Sequence, residues 1–338
     1  LTDMEVQAEP EDLQNPDEGV AIAEETAVYT TQTPTGGKVK DMVLRIGSEL
    51  IGSFLIFFAI YCVGIMATPL SNINMAFIAL STGLAYGVVT YMFGRISGGH
   101  FNPAITVASM LGMKTKWLDG ILYIIAQLLG ALAAGGLMRL IIPTGQSLTA
   151  KMLLPYVVNG FNEISVSAGI LKGAGASFDV KTAVIVEVVA SILVIIAAMM
   201  TMNKKDSSNG IQAMVMGGAY ALGTSFTYMI TGSGMNPARS TGIAVAAMGL
   251  GLDVEPVKQL WVFWVCPILA AALVTIFIVI REMLSTSSPA DAIADTNSEA
   301  DQADAAIEEM SLEGSQCATP AEDETAMENA AASDQQGI

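Results

Sequence analysis

The sequence predicts an all-α integral membrane fold: six transmembrane helices plus two half-helices, arranged as two inverted repeats. Three observations carry this. Of 338 residues, 52% are hydrophobic and 14% charged, and mean hydropathy is +0.54, a balance found in membrane proteins rather than soluble enzymes. Six stretches, 43–66, 75–93, 117–142, 180–202, 211–230 and 258–281, approach the roughly 20 apolar residues a helix needs to cross a bilayer. Finally, the triplet Asn-Pro-Ala occurs once in each half, at Asn102-Pro103-Ala104 and at Asn236-Pro237-Ala238.

The net charge of −17 belongs to the ends of the chain. Residues 1–36 hold nine acids and residues 285–338 thirteen, with no Lys or Arg in either. The other ten acids share 37–284 with all fifteen Lys and Arg. Few large apolar residues accompany those tail acids, so burial cannot offset the entropy of ordering them. Segments 1–42 and 284–338 are expected to be disordered acidic tails around a membrane domain at 43–283. The N-terminal stretch has neither a basic start nor an apolar run, so no cleaved signal is expected.

Along the membrane core, no charge falls between Glu49 and Arg95, and the polar break at 68–72, TPLSN, separates the first two spans. Runs 103–113 and 237–252 are too short to cross. Each opens with proline at the first helical position, where its missing N–H costs nothing, so both read as half-helices dipping in from loops. Lys38, Lys40, Arg45, Arg95, Lys114, Lys116, Lys204, Lys205 and Arg281 share one side if both termini are cytoplasmic, which is the orientation the basic residues favour. Lys151 and Lys172, in the 143–179 loop, and Lys258 then fall on the other.

Aligning Asn102 on Asn236 without gaps pairs Ala85-Tyr86 with Ala219-Tyr220, Gly98 with Gly232, and Ser97 with Thr231. Upstream, Glu49 with Ser53 matches Glu187 with Ser191. Three spans per half force the repeats into opposite orientations, which places a site near the midplane. Half-helices entering from opposite faces bring their N-termini together there, each with about half a positive charge and unpaired N–H donors. Such a centre repels cations and protons and lets neutral molecules pass. At the caps, Asn102 and Asn236 are expected to offer their NH₂ groups to the lumen.

The blocks SGGHFNPAIT and TGSGMNPARS, their half-to-half symmetry, and the Glu-bearing first and fourth spans resemble the major intrinsic protein family, the aquaporins and aquaglyceroporins, over about 42–283. The resemblance implies an aquaporin-like fold, one pore per subunit and a homotetramer. It implies a selectivity filter of Thr82, Thr224, Ser233 and Arg239, a pore-wall role for His100, and hydrogen-bonding support of the two loops by Glu49 and Glu187. Neither the aromatic nor the histidine usual at the first two filter positions of water-selective members is present, which implies a wider, more polar constriction. Ser240 after Arg239, Ala244 and the pair Phe263, Trp264 resemble the water-conducting class instead.

The expected function is passive conduction of water, with small neutral solutes such as glycerol, urea, ammonia or hydrogen peroxide, and exclusion of ions and protons. The alternatives are an aquaglyceroporin-type solute facilitator, or a proton-coupled transporter using Glu49 and Glu187 as relays. No nucleophile–base pair or metal-ligand cluster marks an enzyme. No cofactor, metal or nucleic-acid partner is expected; the partners are water, small neutral solutes and membrane lipid. The setting is multi-pass, in a plasma or internal (vacuolar) membrane. Cys62, Cys266 and Cys317 are too scattered for a disulfide framework. Gly52, Gly83, Gly87, Gly130, Gly135, Gly217 and Gly218 are expected at close helix approaches.

Overall fold

The computed structural model of the chain describes residues 35–67, 74–146, 148–202 and 209–286. The turn expected at 68–72, the tail segments 1–34 and 287–338 with Cys317, and Lys204 and Lys205 lie outside the described residues. The chain divides into two units, Leu1–Thr275 and Ile276–Ile338. In the second, 276–286 are described, as the end of the final helix. The half-helices and all the expected site residues belong to the first.

The long helices are α1 (Thr35–Ala67), α2 (Met75–Ser97), α4 (Trp117–Ile141), α7 (Val180–Thr201), α8 (Asn209–Thr231) and α10 (Val262–Thr286). The short ones are α3 (Pro103–Leu111), α5 (Ala150–Leu153), α6 (Ala168–Gly173) and α9 (Pro237–Ala246). Each expected span corresponds to a long helix. Among the described residues, five helices are long and apolar enough to cross a membrane. The sixth, α8, has 23 residues but is diluted by glycine, threonine and tyrosine on its inward face. Outward, the helices are apolar: Leu80, Leu84 and Ile185 are each more than 60% exposed, an arrangement at home in lipid and costly in water.

Several boundaries differ from expectation. α1 starts at Thr35 rather than 43, since an amphipathic turn precedes the apolar run and Asp41 pairs with Arg45 one turn later at 3.0 Å. The last span begins with a 3₁₀ turn, Pro256–Lys258, and becomes α-helical at Val262. α9 stops at Ala246 rather than 252, because Gly249 and Gly251 adopt positive φ. The 143–179 segment is not a bare surface loop. It contains α5, α6 and two 3₁₀ turns, and it buries Val157, Val158, Asn159 and Phe161. Across it Lys151 Nζ donates to exposed Asp253 at 2.7 Å, holding that carboxyl below its usual range.

The helices meet where glycine lets backbones touch. α2 lies along α8 more extensively than any other described pair; a Cβ on Gly83 would strike the Gly217 carbonyl, and one on Gly217 the Gly83 carbonyl. Likewise Gly130 of α4 faces Leu50 of α1, and Gly135 of α4 faces Gly242 of α9. Gly218 is a correction: nothing lies within 4 Å of where its Cβ would be, so it makes no close approach.

Candidate functional site

α3 and α9 have nine and ten residues, about 14–15 Å at 1.5 Å per residue, half of a bilayer core of about 30 Å. The same devices begin both. Asn102 Oδ1 accepts from Ala104 N at 2.8 Å and Asn236 Oδ1 from Ala238 N at 3.0 Å, with Pro103 and Pro237 next. The approach is repeated residue for residue. Four, three and one positions before each asparagine, φ is positive: Gly98, Gly99 and Phe101 in the first half, Gly232, Ser233 and Met235 in the second. For Phe101, Ser233 and Met235 this left-handed geometry costs about 1–2 kcal/mol each, so something must hold it.

The two buried glutamates do. Glu49 Oε1 accepts from Ser97 Oγ at 2.6 Å and His100 N at 3.0 Å; its Oε2 accepts from Phe101 N and Gln127 Nε2, both at 2.7 Å. Glu187 Oε1 accepts from Thr231 Oγ1 at 2.5 Å and Gly234 N at 2.9 Å, and Oε2 from Met235 N at 2.7 Å. Each carboxylate collects the amides its loop cannot pair internally, as a buried charge requires.

The loops also lock to each other. Asn102 Nδ2 donates to the Met235 carbonyl at 2.9 Å, and Asn236 Nδ2 to the Phe101 carbonyl at 2.7 Å, so the half-helices meet cap to cap as expected. The second hydrogen of each amide departs from expectation. Asn102 Nδ2 donates to Tyr220 Oη at 2.9 Å and Asn236 Nδ2 to Tyr86 Oη at 3.0 Å. Both donors of both NH₂ groups are therefore spent on protein atoms, not offered to a lumen. The two tyrosine rings stack with centroids 3.3 Å apart and planes within 3°.

To one side of the rings lies a cavity lined by Thr82, Thr224, Ser233 and Arg239, with Tyr86 and Tyr220 among its walls. The structure thus gathers the four residues expected at the filter around one space. That space is small, about 10 Å³, room for about one water. Arg239 Nη1 donates to Asn159 Oδ1, and the Arg239 carbonyl accepts from Tyr61 Oη at 2.5 Å. Asn159 Nδ2 in turn donates to the Thr231 carbonyl at 3.0 Å. The buried arginine is held by a neutral amide, not by an acid. His100 is buried, its Nδ1 3.0 Å from Thr106 Oγ1 and its ring edge-on to Tyr123; it is not among the residues lining this cavity.

Residues 38–278 match the sequence profile described as Major intrinsic protein. The chain belongs to that family. Members of this family are channels, not enzymes, and the chain is an integral membrane protein. It is similar to Aquaporin Z of Photorhabdus laumondii, 29% identical over 230 residues, covering 68% of this chain and 93% of that protein. It is also similar to Aquaporin-4 of Mus musculus, 33% identical over 202 residues, covering 60% of this chain and 54% of that protein; the chain thus spans about half the length of that relative. Among solved structures it resembles the X-ray structure of the aquaglyceroporin from Plasmodium falciparum, with a TM-score of 0.54 at 19% identity, covering 70% of this chain and 95% of that one. That likeness supports the major intrinsic protein fold.

Three residues that sequence reading did not single out belong to the site. Asn159 sits in a connecting segment without periodicity, and nothing local marks it. Tyr86 and Tyr220 were paired by the repeat register, a signal that could have found them.

Proposed function

We propose that this major intrinsic protein conducts water passively, with small neutral solutes such as glycerol, urea, ammonia or hydrogen peroxide as further cargo, and excludes ions and protons. The cap-to-cap meeting of α3 and α9 carries the reading, because it focuses two positive helix ends on one point of the path. The ring of Thr82, Thr224, Ser233 and Arg239 supports it: three hydroxyls exchange hydrogen bonds with a neutral solute, and the guanidinium repels cations. A glycerol-type facilitator is the second reading, favoured by the absence of an aromatic or histidine among those four. Proton coupling through Glu49 and Glu187 is disfavoured, because loop donors occupy both carboxylates.

In the same reading the chain is a homotetramer in a plasma or vacuolar membrane with both termini cytoplasmic. Arg45, Arg95, Lys114 and Lys116 line one polar pocket, as a shared cytoplasmic face requires.

Water, glycerol and urea permeabilities measured in one proteoliposome preparation test the cargo. Water is expected to lead; a glycerol rate above the water rate selects the facilitator reading. Mercurials test the filter wall. Cys62 lies against Met138 and Cys266 is buried beside Ala183 and Phe263, so the wild-type chain is expected to resist them. Ser233→Cys should make flux mercurial-sensitive, with at least about a tenfold loss if the adduct fills a one-water space. Strong block of the wild type would place Cys62 or Cys266 on the path.

A further inference from the structure

The waist of this molecule holds two aromatic rings where a continuous water path would run. Gly83 and Gly217 bring α2 and α8 into backbone contact, and Tyr86 and Tyr220 follow each glycine by three residues, on the same side of their helices. Their rings, 3.3 Å apart, leave no space for water between them, and both are at most 2% exposed.

The surroundings are polar on both sides of the stack. Along α2, Thr82, Tyr86 and Thr90 recur at four-residue spacing. Thr224 stands one turn beyond Tyr220 on α8, within the one-water cavity. Thr224 Oγ1 and Thr90 Oγ1 are both buried and, among the described residues, have no hydrogen-bond partner. Each is a hydroxyl suited to water, one turn to either side of the rings. On the Thr90 side, Gln212 Nε2 donates to the Gly98 carbonyl at 2.7 Å, and a Cβ on Gly99 would sit 3.4 Å from Thr90 Cγ2, so this hydroxyl stands beside the first cap loop.

The hydrogen bonds fix the closure. Face-to-face stacking sets like quadrupole faces together and is not the favoured aromatic geometry. What holds the rings is the crossed pair of donors, Asn102 to Tyr220 and Asn236 to Tyr86. Each hydroxyl takes the donated hydrogen that a passing molecule would otherwise receive.

We propose that the Tyr86–Tyr220 stack, and not the outer ring of four residues, is the permeability-determining point of this pore: it closes the path at the caps, and conduction requires the rings to part. This rests on the channel reading above. A parted pair frees one amide hydrogen on each asparagine, so opening and solute binding at the caps are a single exchange of hydrogen-bond partners.

Proteoliposomes holding equal amounts of wild-type chain, Tyr86→Val/Tyr220→Val, or Tyr86→Phe/Tyr220→Phe test this by light scattering after an osmotic step. The valine pair removes both rings; the phenylalanine pair keeps the rings and removes the hydroxyls. Slow water flux is expected in the wild type, at least a tenfold increase in the valine pair, and a smaller increase in the phenylalanine pair, whose rings remain but are no longer held by the asparagine donors. A wild type already as fast as the valine pair overturns the closure and leaves the channel reading standing; a phenylalanine pair no faster than the wild type overturns the exchange of hydrogen-bond partners as the means of opening. If neither the wild type nor a valine pair that elutes and melts as the wild type does exceeds empty vesicles, the channel reading fails and takes the closure with it. Should the valine pair not fold, Tyr220→Val alone carries the test, with a smaller increase expected and no increase overturning the closure.

Discussion

Glu187→Ala is expected to unseat the second half-helix and abolish flux. The substitution strips three donors, Thr231 Oγ1, Gly234 N and Met235 N, of a charged acceptor inside the protein. Bonds to charged groups are worth about 1.5–3 kcal/mol each, and they do not add fully. Met235 and Ser233 also sit in left-handed backbone that would no longer be held. The expected loss is about 3–5 kcal/mol, read as a large drop in the unfolding temperature of the detergent-solubilised chain. Glu187→Gln should be nearly as damaging, because its NH₂ must face one of the amide donors. The equivalent Glu49 variants should act alike through Phe101 and His100. A Glu187→Gln chain of wild-type stability whose transport had lost a proton dependence would revive the coupled-transporter reading.

Arg239→Ala is expected to keep water flux and to raise cation and proton leak. The guanidinium is 3% exposed and is a full charge bordering the one-water cavity, so it acts through a low-dielectric surrounding in which a unit charge at a few ångströms is worth several kcal/mol. Losing even about 1.4 kcal/mol of barrier raises leak tenfold. The change is best measured in the Tyr86→Val/Tyr220→Val background, where the waist stands open, with a pH-sensitive dye inside the vesicles. Unchanged proton exclusion there would remove Arg239 from the barrier and leave the helix termini to carry it. Asn159→Ala, which deletes the arginine's amide partner, should give a weaker version of the same leak.

The sequence made the frame of the molecule legible because a bilayer restricts the possibilities. Apolar runs of span length and two proline-opened short runs leave little freedom, and six spans with two stubs are what forms. Glu49 and Glu187 were readable as loop supports through the family resemblance, which their equivalent places in the repeat and the need of a buried carboxylate for donors both fit. The site's tightest contacts were less accessible. Asn159 comes from a segment whose inward fold depends on tertiary contacts with Thr231 and Gly232, which leave no periodic trace. Tyr86 and Tyr220 matched in the repeat alignment, yet their meeting depends on how closely Gly83 and Gly217 let α2 approach α8. Alignment supplies register, not interhelical distance. The sequence points the amide donors at the lumen for the same reason: the acceptor that captures each lies on the opposite repeat.

Everything proposed for this chain depends on a passive path through the point where α3 and α9 meet. Its most direct test is the rate at which vesicles carrying the wild-type chain or the Tyr86→Val/Tyr220→Val chain shrink under an osmotic step, with proton and sodium gradients first intact and then collapsed by ionophores. Protein-dependent flux that scales with the osmotic gradient, is unchanged by the collapse and carries no current is the predicted result. Flux that disappears with the ion gradients, or that moves charge in proportion to solute, would contradict it.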